Sequence, residues 1–122
     1  MSTGIEVEGR GDGSLRIGQR EVLLDVSELF GRKWNALILY HLSRGALGFS
    51  DLKCEIDGIS GKMLAESLEM LTDGYGVVTR HEISDQPRRV EYSLSQTGEA
   101  LAPVLLALHD WGSEHLDPAH DE

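Results

Sequence analysis

Between Phe49 and Leu94 the spacing of apolar residues changes from the three-and-four of a helix to the two of a strand, which limits the folds open to the chain. Residues 50–56 predict a short helix, with Ser50 at its N-cap and Phe49 as the apolar residue before the cap. Asp57-Gly58 is a turn signal. A second helix opens at once: Ser60 caps it, and Ile59 and Leu64 form a hydrophobic staple across the cap. Leu64, Leu68 and Leu71 line one face of it, and Lys62, Ala65, Glu66 and Glu69 the other. After Gly74 and Gly76 the period is two. Val78 to Ile83 reads as a strand and Arg89 to Leu94 as its partner, with Val90, Tyr92 and Leu94 on one face. Pro87 cannot serve an inner strand, so Ser84 to Arg88 is the expected turn.

Helical periods flank this centre. Val22, Val26 and Leu29 fall on one face of a helix from Glu21 that Gly31 ends, and Trp34, Leu37, Ile38 and Leu42 mark another that Gly45 stops. Thr97 is placed to cap a last helix carrying Leu101, Leu105, Leu108 and Trp111 in a stripe. The order is four helices, a hairpin and a helix, with a tight turn between the third and fourth. The expected fold is therefore mostly α with a small β-hairpin, a winged helix-turn-helix. In that organisation the first helix of the pair braces, the second enters the major groove, and the ribbon lies on the neighbouring backbone. Residues 1–20 hold five glycines and no apolar period, so they read as a flexible tail. Residues 21–116 form the domain with its flanking helices, and the acidic residues 117–122 form a second tail. Arg10-Gly11-Asp12 in the first tail is a chance match to an integrin-binding tripeptide.

Charge first speaks against a nucleic-acid partner. With 21 Asp and Glu against 11 Lys and Arg the formal charge is −10, whereas a phosphate backbone rewards cations. The distribution alters this. Residues 31–96 hold eight of the basic side chains and nine acids, so the centre is near neutral and the acid excess lies at the ends. Only three of the basic residues are Lys, a balance that points to a salt-rich cytoplasm, where screening tolerates a strongly negative protein. No run approaches the roughly 18 apolar residues of a membrane span, and no signal-peptide core is visible at the start, so a cytoplasmic protein without a membrane partner is expected. The single Cys54 excludes an intrachain disulfide.

Several of these segments together resemble the HxlR-type transcriptional regulators, relatives of the MarR proteins. The resemblance rests on Gly31-Arg32-Lys33-Trp34, the run from Gly45 to Phe49, Ile59-Ser60, Leu64 and Leu68, then Val90-Glu91-Tyr92-Ser93-Leu94, Gln96-Thr97-Gly98 and Trp111-Gly112. These stretches cover about three quarters of the chain. The resemblance implies a homodimeric DNA-binding regulator whose first and last helices build the dimer interface. The chain departs from the family pattern in three places. Ala65, Glu66 and Ser67 stand where such proteins often carry Gln or Arg. The cysteine that many members have before the first helix is missing from Gly18-Gln19-Arg20-Glu21. The connection Asp73-Gly74-Tyr75-Gly76 is one residue longer.

The expected DNA contacts are Ser50, Ser60, Gly61, Lys62, Ala65 and Glu66 from the helix pair, with Arg88 and Arg89 at the wing. Amides at a helix start favour phosphate without any side chain. Glu66 is compatible with two roles, a hydrogen-bond acceptor for cytosine N4 or a solvated acid repelled by phosphate. The expected dimer residues are Val22, Val26, Leu29, Leu101, Leu105, Leu108 and Trp111. Cys54, four residues after Ser50, is expected as a small buried apolar residue rather than a redox sensor. His109, Glu114, His115 and His120 match no recurring metal spacing, and no nucleophile–base pair or phosphate loop occurs in a convincing context, so neither a metal, a cofactor nor catalysis is expected. A small-molecule effector has no sequence signature. The runner-up to a sequence-specific regulator is a winged-helix module that has lost DNA binding and joins proteins instead.

Overall fold

The computed structural model describes residues 17–116; the expected tails fall largely outside these residues, as do Arg10-Gly11-Asp12 and His120. The described chain forms two compact units, one ending at Arg32 and the other beginning at Lys33. The first is a single helix, α1 (Ile17–Gly31), which starts earlier than the Glu21 expected from the apolar period. Val22, Leu23, Leu24 and Val26 on it are exposed, while Leu29 is buried.

The second unit runs α2 (Asn35–Ser43), β1 (Leu47–Gly48), α3 (Phe49–Glu55), α4 (Gly61–Glu69), β2 (Val78–Asp85), β3 (Arg88–Leu94) and α5 (Gln96–His115). The strands form an antiparallel sheet in the order β1-β3-β2. This is the mostly helical winged architecture that the change of period implies. Ile38, Leu39 and Leu42 of α2, Leu52 and Ile56 near α3, Ile59, Leu64, Leu68 and Leu71, and Val77, Val78 and Leu94 of the hairpin base make one core. Each such side chain stabilises the fold by roughly 1.5–3 kcal/mol through lost water contact. No described helix is long and apolar enough to cross a membrane.

Four local expectations are corrected. Strand β1 was not anticipated: two residues are too short to show a period, and only pairing of Leu47 with Tyr92 and Gly48 with Glu91 defines it. Helix α3 starts at Phe49 with Gly48 at the cap position, so Ser50 lies inside the first turn and does not cap it. The last helix is capped by Ser95, whose Oγ accepts from the Gly98 amide at 3.1 Å, and not by Thr97. The hairpin is also longer than expected. An irregularity between Glu82 and Ser84 leaves Ile83 unpaired, and pairing then continues through Ser84↔Arg89 and Asp85↔Arg88, so that Gln86 and Pro87 alone make the turn.

The extra residue between α4 and the hairpin has a structural counterpart. From Met70 to Gly74 the helix widens to a π turn, with the Tyr75 amide donating to the Met70 carbonyl at 2.9 Å. Such a turn holds one more residue per hydrogen-bonded ring than an α-helix. Gly76, at φ +67°, then reverses the chain in a conformation that few residues other than glycine adopt. The Val77 amide closes the turn on the Leu71 carbonyl at 2.9 Å. Helix α5 is seated on this same loop. The Ser95 amide donates to the Val77 carbonyl and the Ser95 hydroxyl to the Gly76 carbonyl. A Cβ on Gly98 would overlap the Val77 carbonyl oxygen, so the two backbones meet without an intervening side chain.

Candidate nucleic-acid interface

Helix α4 is amphipathic, and its two faces have different surroundings. Leu64 and Leu68 are buried to 0% and 2% exposure, while Lys62, Ala65, Glu66 and Glu69 are open to solvent. The start is fixed as the sequence predicts. Ser60 Oγ accepts from the Met63 amide at 3.0 Å, and buried Ile59 and Leu64 flank the cap. The Ser60 carbonyl accepts from Leu64. The amides of Gly61 and Lys62 thus precede the first bonded turn, where helix geometry leaves N–H groups for an external acceptor. Ser67 turns inward and is buried, so of the three unusual residues on this helix only Ala65 and Glu66 face outward. Met63 is exposed on the same first turn. Sequence reasoning missed it, although its place directly after Lys62 carries the signal.

The hairpin stands beside α3. Strand β1 joins the start of α3 to β3, and a cleft of about 430 Å³ opens between them, lined by Phe49, Ser50, Ile83, Arg88, Arg89 and Val90 among others. Three expected contact residues, Ser50, Arg88 and Arg89, are therefore brought to one cleft. Arg88 Nε lies 3.5 Å from Glu82 Oε2, so part of its charge is met within the wing. Arg89 makes no ion pair with another described residue. His81 and Ser93 share a 3.1 Å hydrogen bond across the strands.

Two compact helices with a solvated second member, backed by a three-stranded wing, make a helix-turn-helix frame. The HxlR-like helix-turn-helix family model matches residues 29–120. The chain belongs to the HxlR family. Among curated relatives, the helix-turn-helix transcriptional regulator YvaP of Bacillus subtilis strain 168 is 38% identical over 92 residues, 75% of this chain and 84% of that one. The crystal structure of a MarR-family transcriptional regulator from Porphyromonas gingivalis W83 matches with a TM-score of 0.70 and 34% identity, covering 77% of this chain and 91% of the other. The reduced form of the regulator YodB from B. subtilis matches with a TM-score of 0.69 and 30% identity, covering 86% and 98%.

In this HxlR-family chain Cys54 is exposed, which corrects the expectation of a buried apolar residue. Leu52 and Ile56 already fill the inward side of α3, and a residue two positions from either points away from it. The dimer residues divide as well. Val22, Val26, Leu108 and Trp111 are exposed, Leu101 is half-buried, and Leu29 and Leu105 are buried within the single chain. Helix α5 packs on α2, and Leu105 is buried in the single chain, so it serves the protomer's own core. Val104 and Leu106 on α5, with Leu23 and Leu24 on α1, are exposed apolar residues that the one-face reading left out. Among the described residues no cluster of His, Cys, Asp and Glu could hold a metal ion.

Proposed function

We propose that the chain is a DNA-binding transcriptional regulator that acts as a homodimer, with α4 in the major groove and the β2–β3 wing on the flanking backbone. The observation that carries the reading is the capped first turn of α4. It offers unbonded amides beside exposed Lys62, and its opposite face is locked in the core, so the helix can enter a groove without unpacking. Ser60, Gly61 and Lys62 then hold phosphate, Ala65 and Glu66 face the bases, and Ser50 and Arg89 extend the contact through the cleft. Arg88, partly spent on Glu82, contributes less.

The dimer reading draws on the terminal helices. Leu108 and Trp111 are about half exposed, at 48% and 55%, and the four exposed apolar residues of α1 add a second apolar surface. A solvated monomer gains nothing from this much open apolar surface, whereas a two-fold partner would cover it. Such a pair presents two α4 helices about 34 Å apart, one turn of DNA. The acid-rich ends fit a protein working in a salt-rich cytoplasm. A protein-joining module is the second reading, because Glu66 and Glu69 place two acids on the outward face of α4.

The test is a binding titration against duplex DNA at several salt concentrations. Lys62→Ala should weaken binding to all duplexes and flatten the salt slope by roughly one phosphate contact. If wild type binds no duplex at any salt, or Lys62→Ala binds like wild type, the assignment of α4 to DNA fails.

A further inference from the structure

Ile83 is an exposed apolar residue in an unusual place. It is the unpaired residue of the β2 irregularity, between Glu82↔Val90 and Ser84↔Arg89, and it is 48% exposed. An extra residue in one strand twists the ladder and re-aims its side chain, and such bulges recur beside functional sites. Most other large exposed apolar residues of the described chain lie on α1 and α5, the helices assigned to the dimer; on the hairpin Ile83 stands alone. The cleft it lines has Phe49 and Val90 on its apolar side, and Ser50, Arg88 and Arg89 with the carboxylates of Asp51 and Glu91 on its polar side.

Resting on the DNA reading above, we infer that Ile83 is the wing's apolar contact with the minor groove, pressed against deoxyribose while Arg89 holds an adjacent phosphate. Three observations favour this occupant over a protein partner. The cleft is continuous with the proposed α3 contact at Ser50, so whatever binds there lies along the same duplex. A minor-groove rim alternates sugar carbon with phosphate, and the wing sets an aliphatic side chain beside a guanidinium that makes no ion pair with another described residue. The hairpin is also electrically balanced: Arg80, Arg88 and Arg89 are matched in number by Glu82, Asp85 and Glu91. A balanced wing gains from counterion release only through single contacts such as that of Arg89, so a contact that does not weaken with salt adds to its affinity. An aliphatic side chain on sugar supplies one, and it persists at the ionic strength that the composition implies.

The inference separates two residues by their salt response. Duplexes that wild type selects from a random pool are titrated across a salt series, with thermal melts alongside. Ile83→Ser should lower affinity roughly five- to thirtyfold at every salt concentration, the scale of losing a partly buried aliphatic chain, and leave the slope unchanged. Ile83→Val should retain most of the affinity. Arg89→Ala should instead flatten the slope by about one. Replacing guanine by inosine in the flanks removes the 2-amino group from the minor groove alone, and should raise wild-type affinity more than that of Ile83→Ser. If Ile83→Ser binds like wild type while Lys62→Ala is weakened, the inference falls and the DNA reading stands. A slope change in Ile83→Ser, or indifference of wild type to inosine, also overturns it. Wild type that binds no duplex removes both.

Discussion

Leu68→Ala and Lys62→Ala lie less than two turns apart on α4 and should produce opposite phenotypes. Leu68 is 2% exposed and sits between Leu64 at 0% and Leu71 at 0%, so truncation removes aliphatic surface that is shut off from solvent. The loss combines the transfer term and the cavity left behind, about 2–5 kcal/mol. For a domain of this size that is a fall in melting temperature on the order of 10–25 °C. Lys62 is exposed and makes no ion pair with another described residue, so its truncation should change stability by no more than about 0.5 kcal/mol. The assay is thermal and denaturant unfolding of the DNA-free protein at one fixed concentration, because self-association makes the midpoint depend on concentration. Equal melting of the two variants would refute the two-faced description of α4. So would a Leu68→Ala protein that unfolds within 0.5 kcal/mol of wild type.

Leu108→Asp should shift the proposed dimer toward monomer, or toward unfolded chain, since it places an unpaired charge in the apolar contact; light scattering in high salt reads the mass, and a monomer mass for wild type would end the dimer reading. Oxidant treatment should leave the DNA affinity of wild type and of Cys54→Ser alike unchanged. Cys54 is exposed, yet it is the chain's single cysteine and so has no intrachain partner for a disulfide. A fall in wild type alone would make Cys54 a sensor.

The helix pair and the wing were legible because their signals are local. Ser60 and Ile59 announce a helix start through groups within five residues of each other, and the inward leucines repeat at a period the helix itself imposes. What the sequence hid depends on distant backbone. Strand β1 exists only because Leu47 and Gly48 meet β3 more than forty residues later. Thr97 has a capping side chain in sequence, yet the cap is Ser95, whose amide and hydroxyl both find the Gly76–Val77 loop. Ile83 seemed an ordinary strand residue, since a bulge is a mismatch of two strands and neither shows it alone. Leu105 and Leu108 belong to one sequence stripe, yet only the first is buried in the single chain. Cys54 was misplaced because a small residue fits either side of a short helix, and Leu52 and Ile56 had already taken the inner one.

The seat of α5 on the Gly76–Val77 loop makes the protein a kind of caliper. Side chains in contact can change rotamer and absorb a tilt, whereas Gly98 and Val77 meet backbone to backbone and have nothing to yield. The loop beneath them also connects α4 to the wing. In the proposed dimer, an angle that a second copy imposes on α5 would therefore pass to α4 and the wing through this joint. In the proposed two-fold pair the gap between the two jaws would be set at this joint, far from any base, and half-site spacing would follow from how two α5 helices cross.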